Sequence, residues 1–164
     1  MKALSVRQPW AHAIVNKWKD VENRSWRTSH RGWLVIHASG TREGKARYPR
    51  GWKTPDVKTL PTSAIVGVAW LDDVVTPHKS PWFYKPGKGE KNFAWVLDLK
   101  RAHRLQSPIE RKGKLGVWDL PPKVAAEIRR QLPRLGLEKL QKSRGGRRAA
   151  VPRRPPRRSG LLPA

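Results

Sequence analysis

Leu4 and Val6 alternate with Ser5 and Arg7, a period of two that predicts a short strand at the start of the chain. Gln8 and Pro9 then open a helix in which Trp10, Ile14, Val15 and Trp18 share a face. The run Trp33, Leu34, Val35, Ile36, His37, Ala38 reads as a buried strand, followed by a Gly- and Arg-rich connection and a short helix. Residues 64–75 are rich in β-branched side chains and predict a further strand, bent at Gly67. Phe93, Trp95, Leu97 and Leu99 alternate with Ala94, Val96, Asp98 and Lys100, the clearest period-two run in the chain, and Leu115 and Val117 complete the sheet. Five or six strands with one or two helices in mixed order imply an α+β fold. A small, partly closed barrel would remove most of the exposed sheet edges. No internal repeat interrupts this pattern.

The pattern changes near residue 121. Val124, Ile128 and Leu132 recur every four residues after Pro121 and Pro122, which suit a first helical turn, and Pro133 and Gly136 end the helix. From Ser143 onward Arg, Gly and Pro dominate without apolar periodicity, the composition of a disordered basic tail. The expected organisation is a domain over 1–121, a C-terminal amphipathic helical segment over 122–142 and the tail over 143–164.

Charge sharpens the functional question. Of 164 residues, 36 are Lys or Arg and 12 are Asp or Glu, a formal net charge of +24. The three segments carry +13, +4 and +7 in turn, so the excess is not a property of the tail alone. That argues against an ordinary neutral enzyme for a small apolar substrate and for a polyanionic partner, since each neutralised phosphate releases condensed counterions. Cysteine is absent, which removes disulfides, zinc–cysteine sites, iron–sulfur clusters and thiol nucleophiles. The amino terminus has no apolar stretch of signal-peptide length, and the apolar run 64–71 is far too short for a membrane span. The expectation is a soluble, cytoplasmic protein without a membrane partner, monomeric by default. Nine tryptophans lie within the first 118 residues; most should fill the core, and one or two could stack on an unpaired base.

Standard enzyme motifs fail. Residues 40–46 resemble a phosphate-binding loop, but Gly40 and Gly44 are one residue too close and Ala46 replaces the hydroxyl that would reach magnesium. Gly87 and Gly89 lack a third glycine. The histidines His12, His30, His37, His78 and His103 have no metal-ligand spacing, and His37, at the end of an apolar strand, reads as a hydrogen-bonded structural residue. Neither a metal nor a cofactor is called for. What remains is the segment 17–27. If 22–24 is extended, Glu22 and Arg24 point to one face and Asn23 to the other, with Lys19 close by at the helix exit. Two cations and a carboxylate in a small space could form a structural salt bridge, clamp a phosphate or base edge, or move a proton.

At this point the sequence resembles a known family, the ASCH family of the PUA-like superfamily. The stretch Leu4, Ser5, Val6, Arg7, Gln8, Pro9, Trp10, Ala11 is similar to the first strand and helix start of one branch. The signature Gly-x-Lys-x-x-Glu-x-Arg is matched by Lys19, Glu22 and Arg24, with Lys17 where the glycine stands. Residues 31–39 are similar to the second strand of that branch, and Gly67 and Gly116-Val117-Trp118 add to the likeness, which covers roughly residues 2–120. The resemblance implies a small β-barrel flanked by helices, with a cleft beside the signature that holds RNA or a nucleotide. Some members are hydrolases: one branch deacetylates N(4)-acetylcytidine and another is a ribonuclease. In the deacetylating branch the signature lysine is catalytic, a threonine stands where Glu22 stands here, and a further acidic residue completes the site. Glu90, Asp72 and Asp73, near predicted strand ends, are the candidates for that residue.

The reading that results is a nucleic-acid binding module, RNA in the first instance, with a base or modified nucleoside held beside Lys17, Lys19, Glu22, Arg24 and Arg27. Trp10 and Trp26 are the candidate stacking residues, and the basic surface and tail take phosphates. Glu22 would act as an acceptor that selects donors such as an exocyclic amine. The alternative is a hydrolase with Lys19 and Glu22 as catalytic residues, although a carboxylate three residues away works against a proton-accepting lysine. A third reading is an adaptor whose basic tail docks on an acidic protein.

Overall fold

The computed structural model, which describes residues 1–53 and 55–137, turns the apolar alternation into one sheet with a core on each face. Its strands are β1 (Lys2–Gln8), β2 (Val21–Arg24), β3 (Gly32–Arg42), β4 (Ala64–Val75), β5 (Phe93–Glu110) and β6 (Val117–Asp119). Two helices, α1 (Trp10–Val15) and α2 (Pro122–Gln131), complete the α+β architecture that the sequence implies. The strand order is β2-β5-β4-β3-β1-β6, with β1 parallel to β3 and all other pairs antiparallel. The sheet is not closed by hydrogen bonds; β2 and β6 are its edges. It nevertheless curls enough for the Arg24 side chain on β2 to donate to the Ser5 carbonyl of β1 at 2.7 Å.

Period-two alternation decides which core each residue joins. Leu4, Val6, Leu34 and Ile36 pack with Ile14, Val15 and Trp95 on one face, whereas Ala3, Val35, Ile65 and Val68 pack with Trp118 and Ile128 on the other. Because β3 is covered on both faces, Leu34, Val35 and Ile36 are buried in succession without alternation. Helix α2 begins with Pro122, buries Ala125 and Ile128, and is followed by a 3-10 turn that ends at Gly136 with φ 56°. The Arg/Pro-rich segment 143–164 lies outside the described residues.

Helix α1 is short and held from outside itself. The Gln8 side chain accepts from the His12 amide at 3.0 Å and donates to the Pro61 carbonyl at 2.9 Å. Its other end closes with Lys17 N–H donating to Ile14 O and Trp18 N–H to Ala13 O, the paired bonds of a Schellman turn. The helix lies on β4 at Gly67, where an added Cβ would come within 2.4 Å of His103 O and 2.6 Å of Val15 Cγ1. The register with both neighbouring strands also shifts beside Gly67, so the expected bend is a bulge that admits the helix.

Three sequence expectations need correction. Trp18 lies past the end of α1, not on its face, and is 44% exposed. Leu115 is 99% exposed and outside β6, which starts at Val117; the turn through Gly116, φ 68°, separates them. The last long strand runs to Glu110, ten residues beyond the alternating stretch; bulges in the β4–β5 ladder interrupt the alternation, and its later buried residues divide between the two cores, Ala102 in one and Leu105 in the other.

Candidate functional site

The turn after α1 feeds directly into β2, and this sets the geometry of the signature segment. Lys19 leaves the turn with its side chain only 4% exposed and meets Glu22, 9% exposed, with Nζ donating to Oε2 at 2.8 Å. A second Nζ–H donates to the Val21 carbonyl. Glu22 Oε1 lies 3.1 Å from Arg24 Nη2, as the shared face of an extended segment requires. Burial alone would raise the Glu22 carboxyl, but the Lys19 and Arg24 charges and their hydrogen bonds outweigh it, and its pKa falls below the ordinary glutamate value. The carboxylate therefore stays charged between two cations.

Asn23 points away from that face and fixes the opposite wall. Its Nδ2 donates to Trp82 O at 2.8 Å, while its Oδ1 accepts from Tyr84 N–H at 2.9 Å and Asn92 Nδ2 at 2.8 Å. Asp20 assists from the preceding residue, accepting from Ser80 Oγ at 2.5 Å. Together they tie the β4–β5 connection to β2 and stand Trp82, Phe83 and Tyr84 against the triad. The space between is a cleft of about 780 Å³. Arg7, Lys45 and Arg47 bring further cations to it and Glu43 a carboxylate, which pairs with Arg7 at 3.3 Å. Behind Trp10 and Trp82 stands an aromatic cluster: Trp52 lies 5.2 Å from Trp82 and 5.6 Å from Trp18, and Tyr48 lies 5.2 Å from Trp10.

The ASCH domain family model matches residues 4–95, more than half of the sequence and all of this segment. The chain belongs to the ASCH domain family. Activating signal cointegrator 1 of Mus musculus and of Homo sapiens are each 28% identical over 130 residues, covering 74% of this chain and 22% of theirs. The chain thus spans about a fifth of the length of those relatives. The crystal structure of ASCH from Zymomonas mobilis matches 77% of this chain and 91% of its own at a TM-score of 0.52 and 15% identity, a likeness of fold.

Within this ASCH domain the residues singled out from sequence separate into two groups. Lys19, Glu22, Arg24 and Trp10 line the cleft together, and Trp10 carries Lys19 Nζ 5.9 Å from its ring centroid. Lys17, Arg27 and Trp26 do not line it. Lys17 is exposed in the turn, with φ 65° at the place where the family signature has glycine. Arg27 donates to Val74 O at 2.9 Å and lies 5.0 Å over Phe93, and Trp26 packs edge-on against buried Trp95 at 4.7 Å. The candidate acids also lie elsewhere: Asp73 pairs with Arg31, Asp72 lies 3.9 Å from Arg101, and Glu90 accepts from Tyr84 Oη and Gly87 N–H. Glu43 is the acidic residue that joins Glu22 at the cleft. It sits in the segment that fails as a phosphate-binding loop, so a motif test discards it although its charge pattern marks the segment as polar and exposed. His37 is structural as expected, its Nε2 2.8 Å from Arg111 O and its pKa lowered by burial.

Among the described residues no group of three His, Asp or Glu side chains could hold a metal ion, and no helix is long and apolar enough to cross a membrane.

Proposed function

We propose that this ASCH domain binds nucleic acid, single-stranded RNA in the first instance, by holding one base or modified nucleoside in the cleft while Arg7, Lys45, Arg47 and the basic surface take phosphates. One observation carries the reading. A Lys19–Glu22–Arg24 triad, its Lys19–Glu22 pair almost wholly covered, faces tryptophans across an open cleft of about 780 Å³ rimmed by basic side chains. Buried ion networks favour a shaped polar ligand, flat rings favour a base, and cations favour phosphate. A hydrolytic role for Lys19 is the weaker alternative, because its ammonium is already engaged by Glu22 and the Val21 carbonyl, and Glu43 is engaged by Arg7.

A chain of charge +24 binds RNA electrostatically at low salt, so the test must separate the cleft from the field. Short single-stranded RNA is titrated into the full chain at physiological salt and above, with Trp82→Ala and, as a surface control, Lys123→Ala. Loss of base stacking predicts an affinity drop of about tenfold or more for Trp82→Ala that persists at high salt. Lys123→Ala should change only the salt dependence slightly. Equal effects in the two variants would refute the cleft reading. Removal of 143–164, which takes away seven arginines and no acid, should flatten the salt slope and leave the melting temperature nearly unchanged.

A further inference from the structure

At the Lys19–Glu22–Arg24 triad the hydrogen-bonding capacity is lopsided, although Glu43 and the Ser5 and Ser39 oxygens keep acceptor capacity elsewhere in the cleft, and this gives the chemical class of what the triad holds. Both Glu22 oxygens are occupied, one by Lys19 and one by Arg24, and the carboxylate is almost wholly covered. The Asn23 carbonyl already accepts twice. The donors are a different matter. Arg24 has five N–H groups; Nη2 serves Ser5 O and Glu22, whereas Nε is buried without a partner and Nη1 has none among the described residues. Lys19 keeps one of its three N–H groups.

We infer that the cleft recognises an acceptor edge, a carbonyl or phosphate oxygen presented to Arg24 and Lys19, and discriminates against an amine in that place. This rests on the nucleic-acid reading above and reverses the selection that an acceptor role for Glu22 would give. Arg24 Nη1 and the remaining Lys19 N–H gain when an oxygen is set against them, whereas an amino group there leaves donors facing each other. Uracil and cytosine share size and shape and differ along one edge, where uracil carries O4 and N3–H and cytosine an amine and an acceptor N3; the inference concerns the oxygen or amine at position 4.

The experiment measures uridine, cytidine, UMP and CMP binding to the full chain at physiological salt by calorimetry or tryptophan fluorescence. Nucleosides are uncharged, so the global field does not favour either of them. A preference of about tenfold for uridine over cytidine, carried over to UMP against CMP, would establish recognition of the base carbonyl. UMP and CMP binding alike and far above both nucleosides, with the gain persisting at high salt, would assign the acceptor to phosphate. A preference for cytidine, or equal binding of the two nucleosides without a gain from phosphate, overturns the inference while leaving the nucleic-acid reading in place. Failure of all four to bind, with short RNA also insensitive to Trp82→Ala, removes both. Arg24→Lys keeps the charge but loses the planar fork; it should abolish the uridine preference yet spare any contribution from phosphate. Since Arg24 also ties β2 to β1, its melting temperature is recorded alongside, and the ligand comparison in the wild type stands regardless.

Discussion

The two edges of the sheet carry ion pairs of nearly equal length and very different standing. At β6, Lys2 and Asp119 meet at 2.7 Å with side chains 44% and 72% exposed. Beside β2, Lys19 and Glu22 meet at 2.8 Å almost fully covered, and Arg24 closes a triad. Separation therefore says little about role; water decides it. The β6 pair is screened and costs side-chain freedom to hold, and its value is to keep a charged, unattractive edge. The Lys19–Glu22 pair has given up hydration, so each partner depends on the other, and removing one strands a charge in a place where solvent cannot compensate.

The largest expected effect follows directly. Glu22→Ala leaves two cations without their carboxylate and should destabilise the domain by about 3–5 kcal/mol in urea denaturation, whereas Asp119→Ala should barely shift the midpoint. Acid sharpens the same contrast. The folded pKa of Glu22 lies below its unfolded value of 4.5, so its contribution is complete above that value and is lost as pH falls through the folded pKa. Glu22→Gln should accordingly flatten the fall in stability below about pH 4.5. An equally steep acid limb in that variant would shift the sensitivity to exposed carboxylates such as Asp119, whose pKa is lowered by its hydrogen bond from Lys2.

A steric change beneath the triad comes next in size. Gly67 admits α1, the helix that delivers Trp10 and Lys19, and an added Cβ would press on backbone at His103 O as well as on Val15. Gly67→Ala should cost about 1–3 kcal/mol and lower ligand affinity by displacing α1. Gly44→Ala is the matched control, for its Cβ would meet nothing within 4 Å. Equal melting temperatures for the two would mean that the bulge relaxes around the methyl group.

How far the sequence discloses this arrangement depends on how far apart the partners are in the chain. Lys19, Glu22 and Arg24 are legible as a cluster because one turn and one extended segment suffice to bring them together. The ASCH resemblance is legible for the same reason, its motifs being local. Asn23 and Asp20 pass unnoticed because their partners Trp82, Tyr84, Asn92 and Ser80 lie about 60–70 residues away, and no local period announces them. Trp26 illustrates the converse error: nearness in sequence to the triad suggests a stacking residue, but the sheet turns its ring onto Trp95. Likewise the second half of β5 is hidden by bulges that break the alternation on which a strand is recognised.

The smallest expected effect concerns the turn that aims the triad. Lys17 holds φ 65° at the C′ position of α1, where an L side chain crowds its own backbone and glycine does not. Its side chain is exposed and does not line the cleft, so the strain is not offset by a contact there. Lys17→Gly should raise stability by about 0.5–1 kcal/mol, the relief of the left-handed conformation less the greater freedom glycine gains on unfolding. The same substitution has an independent readout. The pKa of His103 is lowered by burial first and by the Lys17 charge second, so removing that charge should raise it toward 6.5 in an NMR titration. A gain in stability together with a rise at His103 would show that the lysine strains the turn and acts on its neighbour only through its field. A loss of stability would show instead that its aliphatic stem packs on the sheet, and the turn into β2 would then depend on a side chain as the triad does.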